Sequence, residues 1–442
     1  MKLKSSLSVL FAFLSVSLPA LAADHLEGEK SRTVKAQHKP ALAEVRLPLN
    51  YRFKSWLWTR INIEIYKFGS RLNPDLLSPQ GKGSALITWR QHDSNLPFDK
   101  IYTAKKIPAN EDSFLFKVGI KAVDFLSKHV PLTARSLPQL PEDKDQLKSL
   151  YPSQYQQYLP LETVPPELTE GAKENDILGA LALKGPFGRY LHHVPKKGKG
   201  NRYKINFSSY EGVPVKEGLS GLGGVATLHY NIYTQEMETV SIKYKGKKYK
   251  KEEAEEQEWA HKQRIMLATM VTDLTMIHHT LHTHMIVAGT FCAVNNHYLD
   301  ERHPLRVLMF PHQHQTILIN NNTIKLLLNR ETSFVPTMFS YNRENALKVL
   351  GTAVDNFDIG LMDIEENFKR RGLDKDRDGL AYPYRENTNR MWHIIEEHVE
   401  NYINLYYRTK QSVEKDKQLE EWFKALNRYI PQGIKQYTPT LT

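Results

Sequence analysis

The sequence predicts a mainly α-helical fold with a minor β component. Three long stretches carry apolar residues at helical spacing: Trp259 to about Asn295, Arg343–Asn356 and Met391–Tyr407. Two shorter segments, Val225–Tyr233 and Thr239–Tyr244, alternate apolar and polar residues as a pair of antiparallel strands would. At 442 residues, of which 40% are hydrophobic, the chain is long enough to bury a large core.

The first 22 residues have the three parts of a secretory signal peptide. Met1–Lys4 is basic, Leu7–Leu18 is apolar, and Ala20–Ala22 provides a small-x-small cleavage signal. The apolar run is too short to span a bilayer, which favours a cleaved signal over a membrane anchor. We therefore expect cleavage before Ala23 and a periplasmic or secreted protein.

The segments that precede the paired strands are short and mixed. Residues 23–45 are polar and without periodicity, as in a flexible leader. Ala85–Trp89 is β-prone, and Phe114–Ser127 has helical spacing. Pro138–Glu167, rich in Pro, Tyr and Gln, is typical of a long surface excursion. Ile177–Val194 predicts a helix that ends at a Gly-Pro pair and is followed by a strand.

The chain is basic, with a formal net charge of +11. Much of the excess lies in two runs, Lys196–Lys204 and Lys243–Lys251, which contain Gly and Tyr and flank β-prone segments. Solvated hairpin turns are the favoured interpretation, and contact with an anionic membrane surface is the alternative. We expect no nucleic-acid partner, because the chain is predicted to be exported and has no recognisable motif for nucleic-acid recognition. The single cysteine, Cys292, excludes an internal disulfide and predicts a buried thiol.

Histidines are concentrated in one apolar stretch, Asp273–Asn320, which contains eight of the 18 in the chain. Buried imidazoles need hydrogen-bonding partners or a metal ion. The eight are His278, His279, His282, His284, His297, His303, His312 and His314.

The spacing of these histidines leaves two pairs open as metal ligands. His278 and His282 are four positions apart, which places them on one face of an ordinary α-helix. His279 and His284 are five apart, or about 140° around such a helix. They could share an ion only where the helix is locally widened, as π-type turns are at functional sites. Geometry alone favours His278 and His282, and for either pair an ordinary hydrogen-bonded role is about as probable.

Several ordered motifs resemble the catalytic domain of lipoxygenases. That family carries His-x4-His, then His-Pro, then Pro-His followed by Ile-Asn, and later an Arg-Gly turn, a Tyr-Pro-Tyr motif and two helices marked by aromatic residues. The resemblance is firm from about Trp259 to Leu426. The corresponding residues here are His279–His284, His303-Pro304, Pro311-His312, Ile319-Asn320, Arg371-Gly372, Tyr382–Tyr384, Trp392, Tyr402–Tyr407 and Trp422.

The resemblance implies a mononuclear non-haem iron enzyme in which His279 and His284 are the first two iron ligands. Such an enzyme removes a hydrogen atom from the bis-allylic carbon of a polyunsaturated fatty acid and adds O2, which gives a lipid hydroperoxide. The resemblance further implies that His303 and His312 are structural hydrogen-bonders near the site. Thr323 falls at the position linked in the family to the stereochemistry of oxygenation. Thr275 stands where a channel glutamine is common.

The match fails where the family completes its iron shell. The remaining ligands of the family come from a later His-x3-Asn and a C-terminal isoleucine, whereas this chain ends at Thr442 and has no histidine after His398. His393 and His398 are not ligand positions in the family. We therefore expect residues 46–442 to form a catalytic domain that lacks its C-terminal helices, and the activity of this chain is the open question.

Two other functions and one further site compete with this interpretation. A non-catalytic lipid-binding protein of the same fold is the main alternative. A zinc hydrolase built on His278 and His282 would need a nearby catalytic glutamate, and none lies in that motif. Asp374–Gly379 matches the first half of a twelve-residue calcium loop. The twelfth position of such a loop, counted from Asp374, is Arg385 rather than Glu, which favours a simple acidic turn.

Overall fold

The computed structural model describes five main parts of the chain and a few isolated positions between residues 60 and 125. The predictions for the signal peptide, the leader, the Pro138–Glu167 excursion and most of the Phe114–Ser127 helix lie outside them, as does the middle of the Asp374–Gly379 loop. The five parts are residues 82–109, 176–185, 187–195, 202–374 and 379–434.

The β component is small and antiparallel. A two-stranded pair, β1 with β2, precedes a five-stranded meander in which neighbours in the chain are neighbours in the sheet. In the meander β5 and β6 pair through Ala226 and Ile242, which confirms the predicted hairpin. The strands are β1 (Leu86–Thr88), β2 (Tyr102–Ala104), β3 (His192–His193), β4 (Arg202–Asn206), β5 (Val225–Asn231), β6 (Glu236–Tyr244) and β7 (Lys247–Lys250).

Helices make up most of the described residues, which confirms the predicted fold class. Short 3-10 turns at Gly188–Tyr190, Ser208–Tyr210 and Ile359–Met362 link some of the elements. The helices are α1 (Trp89–His92), α2 (Ile177–Leu183), α3 (Glu256–Thr272), a π-helical segment (Asp273–Ala288), α4 (Gly289–Tyr298), α5 (Pro304–Gln313), α6 (Thr316–Leu328), α7 (Phe334–Met338), α8 (Arg343–Asp355), α9 (Ile364–Arg370), α10 (Pro383–Tyr406), α11 (Lys410–Glu414) and α12 (Lys417–Tyr429).

One continuous helical run, α3 with the π-helical segment and α4, forms the centre of the core. The sheet packs against α3 through β6, while α6 and α8 pack against the π-helical segment. At the far end α12 packs on α4, where the Trp422 indole donates a hydrogen bond to the Asn295 side chain. Buried apolar residues follow the run along its length: Met266, Met270, Met276, Leu281, Met285, Ile286 and Val294.

Helix α10 is longer than the apolar pattern predicts. It begins at Pro383 rather than Met391, because proline is well suited to a first helical turn. The apolar pattern does not show these first turns, because their residues are mostly polar. Large apolar side chains on this helix remain exposed, among them Ile394 and Leu405. Within the described residues, no helix combines the length and apolar character that a bilayer span requires.

Candidate metal centre

The helical pitch changes where the histidines begin. In α3 the Thr269 hydroxyl donates to the carbonyl of Ile265, four residues earlier, at 2.7 Å. In the π-helical segment the Thr280 hydroxyl donates to the carbonyl of Thr275, five residues earlier, at 2.8 Å. The wider turns extend over Asp273–Ala288, well beyond a single bulge.

This widening brings His279 and His284 onto one side of the helix. Their Nε2 atoms are 3.0 Å apart, and their ring centroids are 4.8 Å apart. Two imidazole nitrogens bound at right angles to one transition-metal ion, each at about 2.1 Å, would be about 3 Å apart. The pair therefore fits two neighbouring positions of a metal ion. The side that bears His279 is open to solvent, which leaves further coordination positions accessible.

The protonation state of the pair favours metal binding. The His279 ring is open on one side and covered on the other, and this partial burial lowers its pKa and disfavours the charged ring. Burial, followed by the neighbouring charge of His279, lowers the pKa of His284, while a hydrogen bond to Asn320 opposes the shift. Neutral imidazoles with a free lone pair are the form that coordinates a metal. Both rings are therefore ready to bind a cation near neutral pH.

His278 and His282 lie on another side of the same segment and belong to a hydrogen-bonded and aromatic cluster. His278 Nε2 is 3.1 Å from an Asp273 carboxylate oxygen. The His282 ring packs edge-on against Phe357 with centroids 5.0 Å apart, and burial lowers its pKa to about 4. The His278 and His282 rings also meet edge to face at 5.1 Å. These contacts favour a structural role for this pair.

His303 is a buried hydrogen-bonder at the start of α5. Its Nε2 lies 3.1 Å from an Asp416 carboxylate oxygen, and its Nδ1 accepts the backbone N–H of Leu305 at 3.2 Å. One ring thus caps α5 and joins it to the start of α12. The role that the resemblance implied for His303 near a metal site stays a prediction.

The other predicted site residues are spread over three helices. His312 lies in the last turn of α5 and is exposed. Thr323 lies on α6, and its hydroxyl oxygen is buried without a hydrogen-bond partner among the described residues. Thr275 lies in the π-helical segment, one wide turn before Thr280. The structural hydrogen bond of His312, the stereochemical role of Thr323 and the channel role of Thr275 stay predictions.

A buried carboxyl group, Glu111, is not among the residues that the sequence motifs predict for the site. It is 1% exposed, and it accepts the backbone N–H of Leu318 at 2.9 Å. Burial raises its pKa to about 7. Its other neighbour is Cys292, whose predicted burial is confirmed. Nothing local in the sequence marks Glu111, because its partners are about two hundred positions away.

No third metal-binding side chain joins the pair in the part of the chain that the structure describes. Among those residues, no three His, Cys, Asp or Glu side chains come together as a metal site. Within the described residues the histidine pair supplies two imidazole donors, which fit an ion such as iron but do not by themselves complete its coordination.

Comparison with known proteins points to one family. A family model described as Lipoxygenase matches residues 235–433, which include the histidine pair and α12. This segment belongs to the lipoxygenase family. Linoleate 9/13-lipoxygenase of Pseudomonas aeruginosa is 29% identical over 147 residues, which are 33% of this chain and 21% of that protein. Seed linoleate 9S-lipoxygenase of Glycine max is 28% identical over 162 residues, or 34% of this chain and 18% of that protein.

Solved lipoxygenase structures share the fold. A LOX variant crystallised anaerobically with arachidonate has a TM-score of 0.59 and 17% identity, and covers 78% of this chain and 58% of its own. Coral 8R-lipoxygenase has a TM-score of 0.60 and 14% identity, over 77% of this chain and 56% of its own. The chain thus matches about a fifth of the length of its curated lipoxygenase relatives, and less than two thirds of these structures.

Proposed function

We propose that this chain binds iron through His279 and His284 and acts as a lipoxygenase-type dioxygenase, which inserts O2 into polyunsaturated fatty acids to give lipid hydroperoxides. The observation that carries the proposal is the 3.0 Å approach of the two Nε2 atoms on a π-helical segment within the family-matched region. The linoleate named in the matched relatives supports a fatty acid with a 1,4-pentadiene unit as the substrate.

The side chains of the π-helical segment provide a rigid support for the metal ion and leave one side of its position open to solvent. When bound, iron supplies the one-electron chemistry needed to break a bis-allylic C–H bond. His279 and His284 would hold it as neutral ligands. Leu281 and Ile286, both fully buried, anchor the segment in the core and keep the two rings from turning apart. The exposed side at His279 is where the remaining ligands, the fatty acid and O2 would approach.

A metal assay combined with an activity assay tests this function. The purified chain should contain iron and should produce conjugated-diene absorbance with linoleate under oxygen. His279→Gln and His284→Gln should each lose the iron. His393→Gln should keep it, because that ring is exposed on α10 and lies near Glu396. Iron content that is the same in all three variants would refute the assignment.

A non-catalytic lipid-binding protein of the same fold is the second candidate. The observation that favours it is the two-ligand donor set in the described residues. This function predicts fatty-acid binding with no bound iron and no diene product. Fluorescent fatty-acid displacement, measured beside the metal assay, separates the two candidates.

We also propose contact with an anionic membrane surface through the β6–β7 turn. Lys245, Lys247 and Lys248 are exposed there, and the Lys262 ammonium lies 4.7 Å from the centre of the Tyr249 ring. Such a cluster favours anionic headgroups. Co-sedimentation should be stronger with phosphatidylserine vesicles than with phosphatidylcholine vesicles, and weaker at high salt. Replacing Lys245 and Lys248 with Glu should abolish the difference.

We further propose that the protein is periplasmic or secreted. The support is the basic and apolar sequence of the first 22 residues. Expression of the full chain in a Gram-negative host, followed by fractionation and N-terminal sequencing, tests it. The expected product begins at Ala23 outside the cytoplasm, and a cytoplasmic product that begins at Met1 would contradict the proposal.

A further inference from the structure

One buried amide side chain, Asn320, contacts His284 at two points. Its Nδ2 donates to the His284 carbonyl oxygen at 2.6 Å, and its Oδ1 lies 3.2 Å from His284 Nδ1. Asn320 is 2% exposed, so water does not compete for either contact. We propose that Asn320 is a positioning residue of the metal centre, which sets the tautomer and the direction of the His284 ring and thereby its affinity for a metal ion.

The tautomer follows from the pattern of donors and acceptors. A backbone carbonyl can only accept, so the amide NH2 of Asn320 must face the His284 carbonyl. Its Oδ1 therefore faces Nδ1, and a carbonyl oxygen there requires that Nδ1 carries the proton. The lone pair is then on Nε2, the atom that lies 3.0 Å from His279 Nε2. One amide thus selects the tautomer in which the metal-facing nitrogen is free to bind.

A glycine allows this contact between α6 and the wide helix. The backbone N–H of Gly289 donates to the His284 carbonyl that Asn320 also contacts. A Cβ atom at position 289 would lie 2.9 Å from that carbonyl oxygen and 3.2 Å from Asn320 Nδ2. A side chain there would push the amide away from His284. Gly289, Asn320 and His284 therefore form one packed unit behind the metal-facing ring.

The next residue on α6 provides a matched control. Asn321 is 4% exposed, so it is also a buried amide of the same helix. Its Oδ1 accepts the hydroxyl of Thr103 at 3.0 Å. Replacement of Asn321 by Leu should therefore cost stability in the same way as replacement of Asn320, without releasing His284.

Metal titration of the full chain gives the first test. This test rests on the proposed function, because it requires that the chain binds a metal ion. Co(II) is the probe, since its visible spectrum reports ligation. Asn320→Leu should weaken Co(II) binding by about 10–100-fold, the usual effect of removing the hydrogen-bond partner of a metal-ligating histidine. Asn321→Leu should stay close to the wild-type affinity. Equal losses in both variants, or none in Asn320→Leu, would overturn the role.

Histidine ring nitrogen NMR gives a second test that needs no metal. In the metal-free wild-type chain at neutral pH, the His284 signals, assigned with His284→Gln, should show a protonated Nδ1 and a bare Nε2. Asn320→Leu should show a mixture of tautomers. A protonated Nε2 in the wild type would refute the inference. If the wild type binds neither cobalt nor iron, the proposed function fails, while this measurement still decides the role of Asn320.

Discussion

The carboxylate of Glu111 accepts the backbone N–H of Leu318 at 2.9 Å, in a place almost closed to solvent. Leu318 belongs to α6, two residues before Asn320, so this contact attaches the segment that follows β2 to the helix that supports the metal centre. Burial disfavours the charged carboxylate and raises the pKa of Glu111 to about 7, although the hydrogen bond from Leu318 opposes this shift.

The pH dependence of stability follows from this shift. The folded pKa of about 7 is above the ordinary value of 4.5, so the folded state holds the proton more tightly. Stability is therefore lost as pH rises from about 5 to 8, by roughly 2–4 kcal/mol from this group. Glu111→Gln should flatten that part of the profile, measured by urea unfolding at several pH values. Asp112→Asn, on an exposed neighbour, should leave the slope unchanged.

Two glycines in helices give a matched pair of substitutions. Gly351→Ala in α8 should stabilise the protein by up to about 1 kcal/mol, because its added Cβ would meet open space. Gly289→Ala should destabilise it and weaken metal binding, since its Cβ would press on the His284 carbonyl and on Asn320. Thermal unfolding and Co(II) titration measure both effects. Equal gains in stability from the two changes would contradict the close packing at position 289.

The acidic residue at the start of the π-helical segment should matter for stability. Asp273 accepts hydrogen bonds from the hydroxyls of Tyr190 and Tyr210 as well as its contact with His278. Asp273→Ala would leave these two buried hydroxyls and the partly buried imidazole short of a partner and should cost about 2–5 kcal/mol in unfolding free energy. Asp355→Ala, on an exposed carboxylate paired with Lys100, should cost less than about 1 kcal/mol. Chemical denaturation compares the two.

The contact between α12 and α4 should depend on one indole. Trp422 is 7% exposed and donates to Asn295, whose amide in turn donates to Gln313 at 2.6 Å. Trp422→Phe keeps most of the apolar packing but leaves the Asn295 oxygen without its donor, at a cost of about 1–3 kcal/mol. Trp422→Ala should cost about 3–5 kcal/mol. A phenylalanine variant as stable as the wild type would show that the hydrogen bond adds nothing.

The apolar side chains on α10 should contribute little to folding. Ile394 and Leu405 are 62% and 65% exposed. Replacing either with Gln should change the unfolding free energy by no more than about 0.5 kcal/mol. Leu350→Ala, on the fully buried face of α8, should cost about 2–5 kcal/mol. A large loss at Ile394 would indicate that α10 packs more closely than the structure shows.

The periodicity of apolar residues was enough to predict the long helix from Trp259 to about Asn295, because a core helix must present one face repeatedly. The choice between the two histidine pairs could not be made in that way. The angle of about 140° assumes an ordinary pitch, and the pitch depends on packing by other parts of the chain. The resemblance to a known family supplied His279 and His284, and spacing favoured His278 and His282.

Contacts between residues that are far apart in the chain could not be predicted either, because they also depend on how the chain packs in three dimensions. Asn320 reaches His284 across 36 positions, and Glu111 reaches Leu318 across 207. Neither residue lies in a local pattern that shows its partner. One signal was available in principle for the Asn320 contact: a Gly inside a long helical pattern, at Gly289.

The wide turns of Asp273–Ala288 exist only where the surrounding chain supports them. A synthetic peptide of these sixteen residues would have neither the apolar cover nor the amide of Asn320. In water its imidazoles would point in different directions from a frayed coil, and it would capture cations no better than any histidine-rich tag. Selective capture of an ion is therefore a property that the chain acquires on folding.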